Sequence, residues 1–174
     1  MKKTNVLLLC SLLTLSLGPL NGCGMKSTDN APDMISTDEQ TQIPNPFTDC
    51  DTLADAKILA GFPISVPASI DDYTQKAITA IPDEMIHVSF RNSDDEVYFR
   101  KGTLTDDLSG DYNVYDYKDT LSLDGLNITV KGDAEQQLHV AFWSDDEHSY
   151  AIGSSAALDA DTMTEYIRTL ADLS

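Results

Sequence analysis

Apolar residues run unbroken near the start of this chain, recur at helical spacing over residues 53–60, alternate with polar ones through the middle, and return to helical spacing at the end. The first helical stretch carries Leu53, Ala56, Leu59 and Ala60 on one stripe, with Thr52 as N-cap and Asp55 in the first turn. Gly61 suits the left-handed position just past a helix, Phe62 supplies the accompanying apolar contact, and Pro63 blocks continuation. The period then falls to two. Ile86, Val88 and Phe90 alternate with His87, Ser89 and Arg91, and Val97 and Phe99 alternate with Tyr98 and Arg100, across a polar turn at 92–96. Asp124-Gly125 joins Leu121 and Leu123 to Leu126, Ile128 and Val130, which is a strong hairpin signal. A two-residue loop sets Leu123 opposite Leu126 and Leu121 opposite Ile128, with all five apolar side chains on one face. A further pair runs through Leu138, Val140 and Phe142, turns at 144–148 and returns through Tyr150 and Ile152. By parity Trp143 points away from Val140 and Phe142. A less distinct strand lies near 74–81. The last helix covers about 159–173, with Met163, Tyr166, Ile167 and Leu170 on one face and a capping box offered by Thr162 and Glu165.

Short loops between successive strands make them antiparallel neighbours, and strands with one apolar face need helices to cover it. The fold expected is α+β: a curved antiparallel β-meander of about six strands, covered by a short N-terminal helix and a C-terminal amphipathic helix.

The unbroken apolar run, Val6 to Leu17, follows Lys2 and Lys3 and ends at Gly18-Pro19. It is shorter than the roughly 20 apolar residues a membrane-spanning helix needs, and reads as a secretory leader. Leu20-Asn21-Gly22-Cys23 then has the form of a bacterial lipobox, in which the Cys23 thiol receives a diacylglyceryl group and becomes the new N-terminus. Leu20 stands where ordinary signal cleavage wants a small residue, which disfavours a simple secreted protein with a free Cys23 thiol. Two acyl chains anchor stably where one holds marginally. The expected organisation is a signal peptide over 1–22, a lipidated and polar tether over 23–44, and a single domain over 45–174. About 20 tether residues give a reach on the order of 25 Å. The expected location is the extracytoplasmic face of the cell membrane. Cys23→Ser is expected to release the protein from membranes or to leave unprocessed precursor in them. Intact mass reads the outcome, and an unlipidated N-terminus on the unaltered protein would overturn the assignment.

Charge narrows the partners. With Lys2 and Lys3 gone, nine basic residues face 29 acidic ones, a net of −20. Such a surface repels nucleic-acid and anionic lipid phosphates, so nucleic acid is not expected as a partner. Of three cysteines, Cys10 leaves with the leader and Cys23 is lipidated, so Cys50 has no disulfide partner. Its neighbours Asp49 and Asp51 disfavour the thiolate, and it reads as a packed residue. Asp94-Asp95-Glu96, Asp106-Asp107 and Asp145-Asp146-Glu147 fall between strands, where solvated turn residues are expected. His87 and His139 occupy outward strand positions, but two histidines fall short of the three or four ligands of a zinc site. No nucleophile elbow, metalloprotease helix or phosphate-cradling loop is present. No metal, cofactor or catalysis is expected, and a monomer is. The aromatic residues Trp143, Tyr115 and Tyr117 are the candidate contacts for a protein, peptide or glycan.

Asn45-Pro46-Phe47 with Asp49-Cys50, Thr52-Leu53-Ala54-Asp55-Ala56, Ala60-Gly61-Phe62, Ser109-Gly110-Asp111-Tyr112-Asn113 with Tyr115, Val130-Lys131-Gly132, and Ala141 to Trp143 followed by Tyr150-Ala151-Ile152 complete the pattern. Together they resemble a family of uncharacterised small lipoproteins and membrane-tethered domains of Gram-positive gut bacteria, over about residues 45–170. The resemblance implies the α+β fold rather than an activity. The expected function is a cell-surface lipoprotein acting as a non-catalytic binding or interaction module. The alternative is a domain that carries an apolar ligand or senses envelope state, resembling lipoprotein carriers and stress sensors.

Overall fold

The computed structural model describes residues 45–70 and 72–172, so the leader, Cys23 and the tether lie outside the described residues. The fold is α+β. Ten elements follow in order: β1 (Thr48–Asp49), α1 (Leu53–Ala60), β2 (Gln75–Ile81), β3 (Met85–Arg91), β4 (Glu96–Gly102), β5 (Tyr117–Leu123), β6 (Leu126–Ala134), β7 (Gln137–Ser144), β8 (Ser149–Leu158) and α2 (Ala160–Leu170). The strands form one open antiparallel sheet in the order β1-β2-β3-β4-β8-β7-β6-β5. None of the helices among the described residues is long and apolar enough to cross a membrane.

Two corrections to the expected meander follow. The sheet has eight strands rather than about six: β2 is fully formed, and the two-residue β1 pairs with it through Thr48↔Ala80 and Asp49↔Thr79. The order also breaks. The sheet is two four-stranded meanders, β1–β4 and β5–β8, joined where β4 pairs with β8 through Phe99↔Ile152 and Val97↔Ser154. The segment 103–116 must therefore carry the chain from a central strand to the far edge strand.

Local signals hold where they are self-contained. In α1 the Thr52 and Asp55 side chains cap each other's backbone, and Gly61 closes the helix at φ 87°. In the β5–β6 hairpin, Asp124 and Gly125 take φ of 49° and 89°, and Leu123 faces Leu126 while Leu121 faces Ile128. In α2 the cap differs from the expected one. The Asp159 carboxylate accepts from both the backbone N–H and the hydroxyl of Thr162, so the helix starts at Asp159 and no Thr162–Glu165 box forms.

The helices cover one face of the sheet. Phe90, Phe99, Ile128, Ile152, Met163 and Ile167 form its interior, and the Tyr166 ring stands edge-on to Phe99 at 5.4 Å. Trp143 belongs to this covered face. It is 4% exposed, stacked on Tyr150 at 5.2 Å, and its Nε1 has no hydrogen-bond partner among the described residues. Trp143, a candidate contact residue by sequence, is thus corrected to a core residue. Its parity against Phe142 is as read, but the helices cover the Trp143 side. Val140 and Phe142 face the other way, where Lys131 lies over the Phe142 ring.

Candidate functional site

The second face is crossed by the 103–116 segment, which is tied down strand by strand. Thr105 N–H donates to Ser149 Oγ at 2.8 Å, and the Ser149 hydroxyl donates back to Thr105 O. The Tyr98 hydroxyl donates to Ser109 O at 2.8 Å, and Arg100 Nη1 donates to the same carbonyl at 2.6 Å. Asp107 bonds Lys131 of β6 at 3.1 Å. Burial opposes ionisation of Asp107, but hydrogen bonds from Ser109 and Lys131 hold its carboxyl below the usual value. Tyr98 lies so close on β8 that a Cβ at Gly153 would clash with the hydroxyl end of its ring. Burial pushes the Tyr98 hydroxyl up to about 12, against the nearby Arg100 charge.

Where this segment ends, a cleft of about 340 Å³ opens between Glu96, Tyr98, Asp111, Asn113, Tyr115, His139, Ser154 and Ser155. Its cause is an irregularity in pairing. Leu138 faces Leu158, but Val140 faces Gly153, so β8 carries extra residues past β7 there. His139 fills the gap: Nδ1 donates to Ser154 O at 3.0 Å, and Nε2 faces the Asp133 carboxylate at 3.2 Å. Ser155 Oγ accepts from Glu96 N–H at 2.8 Å and ties the bulge to β4. Tyr115 stacks on His139 at 5.4 Å and 18°, and its hydroxyl donates to Asp111 at 2.9 Å. Burial first, and then Asp111, raises the Tyr115 hydroxyl. The cleft therefore has aromatic rings in Tyr98 and Tyr115, carboxylates in Glu96 and Asp111, and hydroxyls in Ser154 and Ser155. Glu96 is paired with Arg91 at 2.7 Å. Beside it, Tyr112 and Val114 are 95% and 97% exposed.

No protein-family model, curated protein or solved structure matches this chain. Asp111, Asn113 and Tyr115 line the cleft, and Asn45 and Phe47 line a neighbouring one.

Of the three aromatic candidates, only Tyr115 lines the cleft. Tyr117 opens β5 on the face of Leu121 and Leu123, packs against the core and bonds Asp119 at 3.2 Å. Trp143 is in the core. The acidic clusters serve their turns: Asp145 accepts from the N–H groups of Glu147 and His148, while Asn92 accepts from those of Asp94 and Asp95. Among the described residues, no group of three or more His, Cys, Asp or Glu side chains converges as metal ligands do. Cys50 packs against the core, and burial followed by Asp55, Asp49 and Asp51 raises its thiol. Sequence reasoning missed Glu96 and His139 as cleft residues. The outward parity of His139 was the available signal, and the β8 bulge that joins it to Tyr98 had none.

Proposed function

We propose that this protein is a lipid-anchored, extracytoplasmic, non-catalytic binding module whose ligand docks in the Tyr98–Tyr115 cleft. The observation that carries this reading is the meeting of the Tyr98 and Tyr115 rings with the Glu96 and Asp111 carboxylates in one concave site. Aromatic faces attract flat or cationic groups, and carboxylates accept from N–H and O–H donors. Basic peptide segments suit that combination, with glycans the other donor-rich class. The Ser154 hydroxyl donates to Ala156 O and the Ser155 hydroxyl accepts from Glu96 N–H, and neither bonds a ring nitrogen of His139 among the described residues, as activation by that ring would require. A membrane tether raises local concentration, so a weak interaction is effective at the surface. The apolar-ligand alternative gains no supporting observation among the described residues.

Titration of the full chain with a lysine-containing tripeptide and with a neutral oligosaccharide tests the reading. Saturable binding of one of them, weakened at least about tenfold by Tyr115→Ala and less by Tyr115→Phe, is the expected result. Binding of neither, or binding indifferent to both substitutions, would remove this cleft from consideration.

A further inference from the structure

A second cleft of about 360 Å³ lies on the same face, over β1 to β4, and its chemistry is opposite to that of the first. In a chain with 11 basic and 29 acidic residues, two arginines, Arg91 and Arg100, line this one cavity. Arg91 reaches Glu96 at the rim. Arg100 has neutral partners throughout. Its Nε donates to His87 Nδ1 at 3.0 Å, its Nη1 donates to the carbonyls of Ser109 and Leu108, and it lies 4.6 Å from the centre of the Tyr98 ring. Among the described residues it makes no ion pair, and its Nη2 makes no hydrogen bond. A half-buried guanidinium without an anion is costly to desolvate, and this one is held in place by four contacts rather than left mobile.

The rest of the lining consists largely of donors. The Thr79 and Ser89 hydroxyls project from facing strands into the cleft, and neither makes a side-chain hydrogen bond among the described residues. Asn45 uses its carbonyl on Phe47 N–H, which leaves its amide N–H groups. Because His87 accepts at Nδ1, its neutral ring carries the proton on Nε2. Asp49 is the acidic member of the lining, set against two guanidinium groups.

We propose that this cleft is an oxyanion site, in which the Arg100 guanidinium and the Thr79 and Ser89 hydroxyls hold a carboxylate or phosphate group. The cavity is larger than a bare anion, so that group is one end of a longer ligand. The proposal does not depend on what occupies the first cleft. The Nη2 hydrogens, which have no partner among the described residues, can donate to either oxyanion, and such bonds are strengthened by charge.

The test is a titration of the full chain, purified in detergent, with inorganic phosphate and separately with acetate. Chloride holds ionic strength constant, and the arginine Nε–H and histidine resonances are followed by NMR. A saturable shift at Arg100 in the range of roughly millimolar anion is expected. Preference for phosphate or for acetate assigns the class. Arg100→Lys, which keeps the charge and loses the fork, is expected to weaken binding about tenfold. Thr79→Val leaves every Arg100 contact in place and is expected to weaken it about threefold. If Arg100→Lys fails to fold, Thr79→Val and Ser89→Ala carry the test. No saturable shift with either anion, or shifts that these substitutions leave unchanged, would overturn the proposal.

Discussion

Trp143→Ala is expected to lower the unfolding free energy by about 3–5 kcal/mol. The indole is 4% exposed, stacked almost parallel to the Tyr150 ring, and part of the same core as Phe99, Ile152 and Met163. Truncation to alanine removes most of that contact and leaves a cavity that flanking strands cannot close, because their backbones are held by the ladder. Whole domains of this size are stable by about 5–15 kcal/mol, so the loss is a large fraction of the total. Trp143→Phe separates packing from polarity. Nε1 has no partner among the described residues, so phenylalanine gives up no hydrogen bond, and its cost should be far smaller than that of alanine. Urea midpoints at unchanged m-value measure both. A Trp143→Ala protein as stable as the parent would mean that the ring is not in the core.

The second large effect is a loss of stability on mild acidification. Burial, followed by the adjacent Arg100 charge, lowers His87 from 6.5 to about 4. The folded protein therefore keeps this imidazole neutral at pH values where the unfolded chain already binds its proton. Stability from this group is complete above pH 6.5 and drains away as pH falls towards 4. Allowing for partial exposure, the difference amounts to about 2–3 kcal/mol. Asp107 and Asp145 contribute lower down. Their folded values lie below 3.8, so what they add is present above that value and lost beneath it. For Asp145, too, burial opposes ionisation, and the Tyr150 hydroxyl and the N–H groups of Glu147 and His148 overcome it. A series of urea midpoints from pH 7.5 to 4 should show the decline, and His87→Gln, which keeps an acceptor for Arg100 but does not titrate, should flatten it. A flat profile in the unaltered protein would contradict the burial of His87.

What could be read from the sequence was whatever neighbouring residues decide between themselves. The α1 caps and the Asp124-Gly125 hairpin with its register depend on contacts within a few residues, and they came out as read. The β4–β8 pairing did not, because Val97 meets Ser154 across a segment with no apolar period. Parity placed Trp143 opposite Phe142, but which of two apolar faces the helices would choose is a tertiary matter. The 103–116 segment is held on the second face through backbone carbonyls and the Asp107–Lys131 pair, none of which has a sequence signature. The same holds for the cleft. Tyr115 was readable as an aromatic on a polar loop, but its partner His139 came into place through a bulge.

The β4–β8 seam has a consequence for how the chain folds. Apart from β1, which reaches β2 through α1, each half is assembled from hairpins whose strands follow one another, and such local closures are fast. The seam instead joins Phe99 to Ile152, and the chain must close a long loop before that contact contributes any stability. The two halves are thus quick to form and slow to meet. The clefts fare differently in that sequence of events. The arginine cavity lies within the first meander, whereas the tyrosine cleft draws Tyr98 from one half and His139 from the other, so it exists only once the halves have docked. Its integrity reports on the last step of folding.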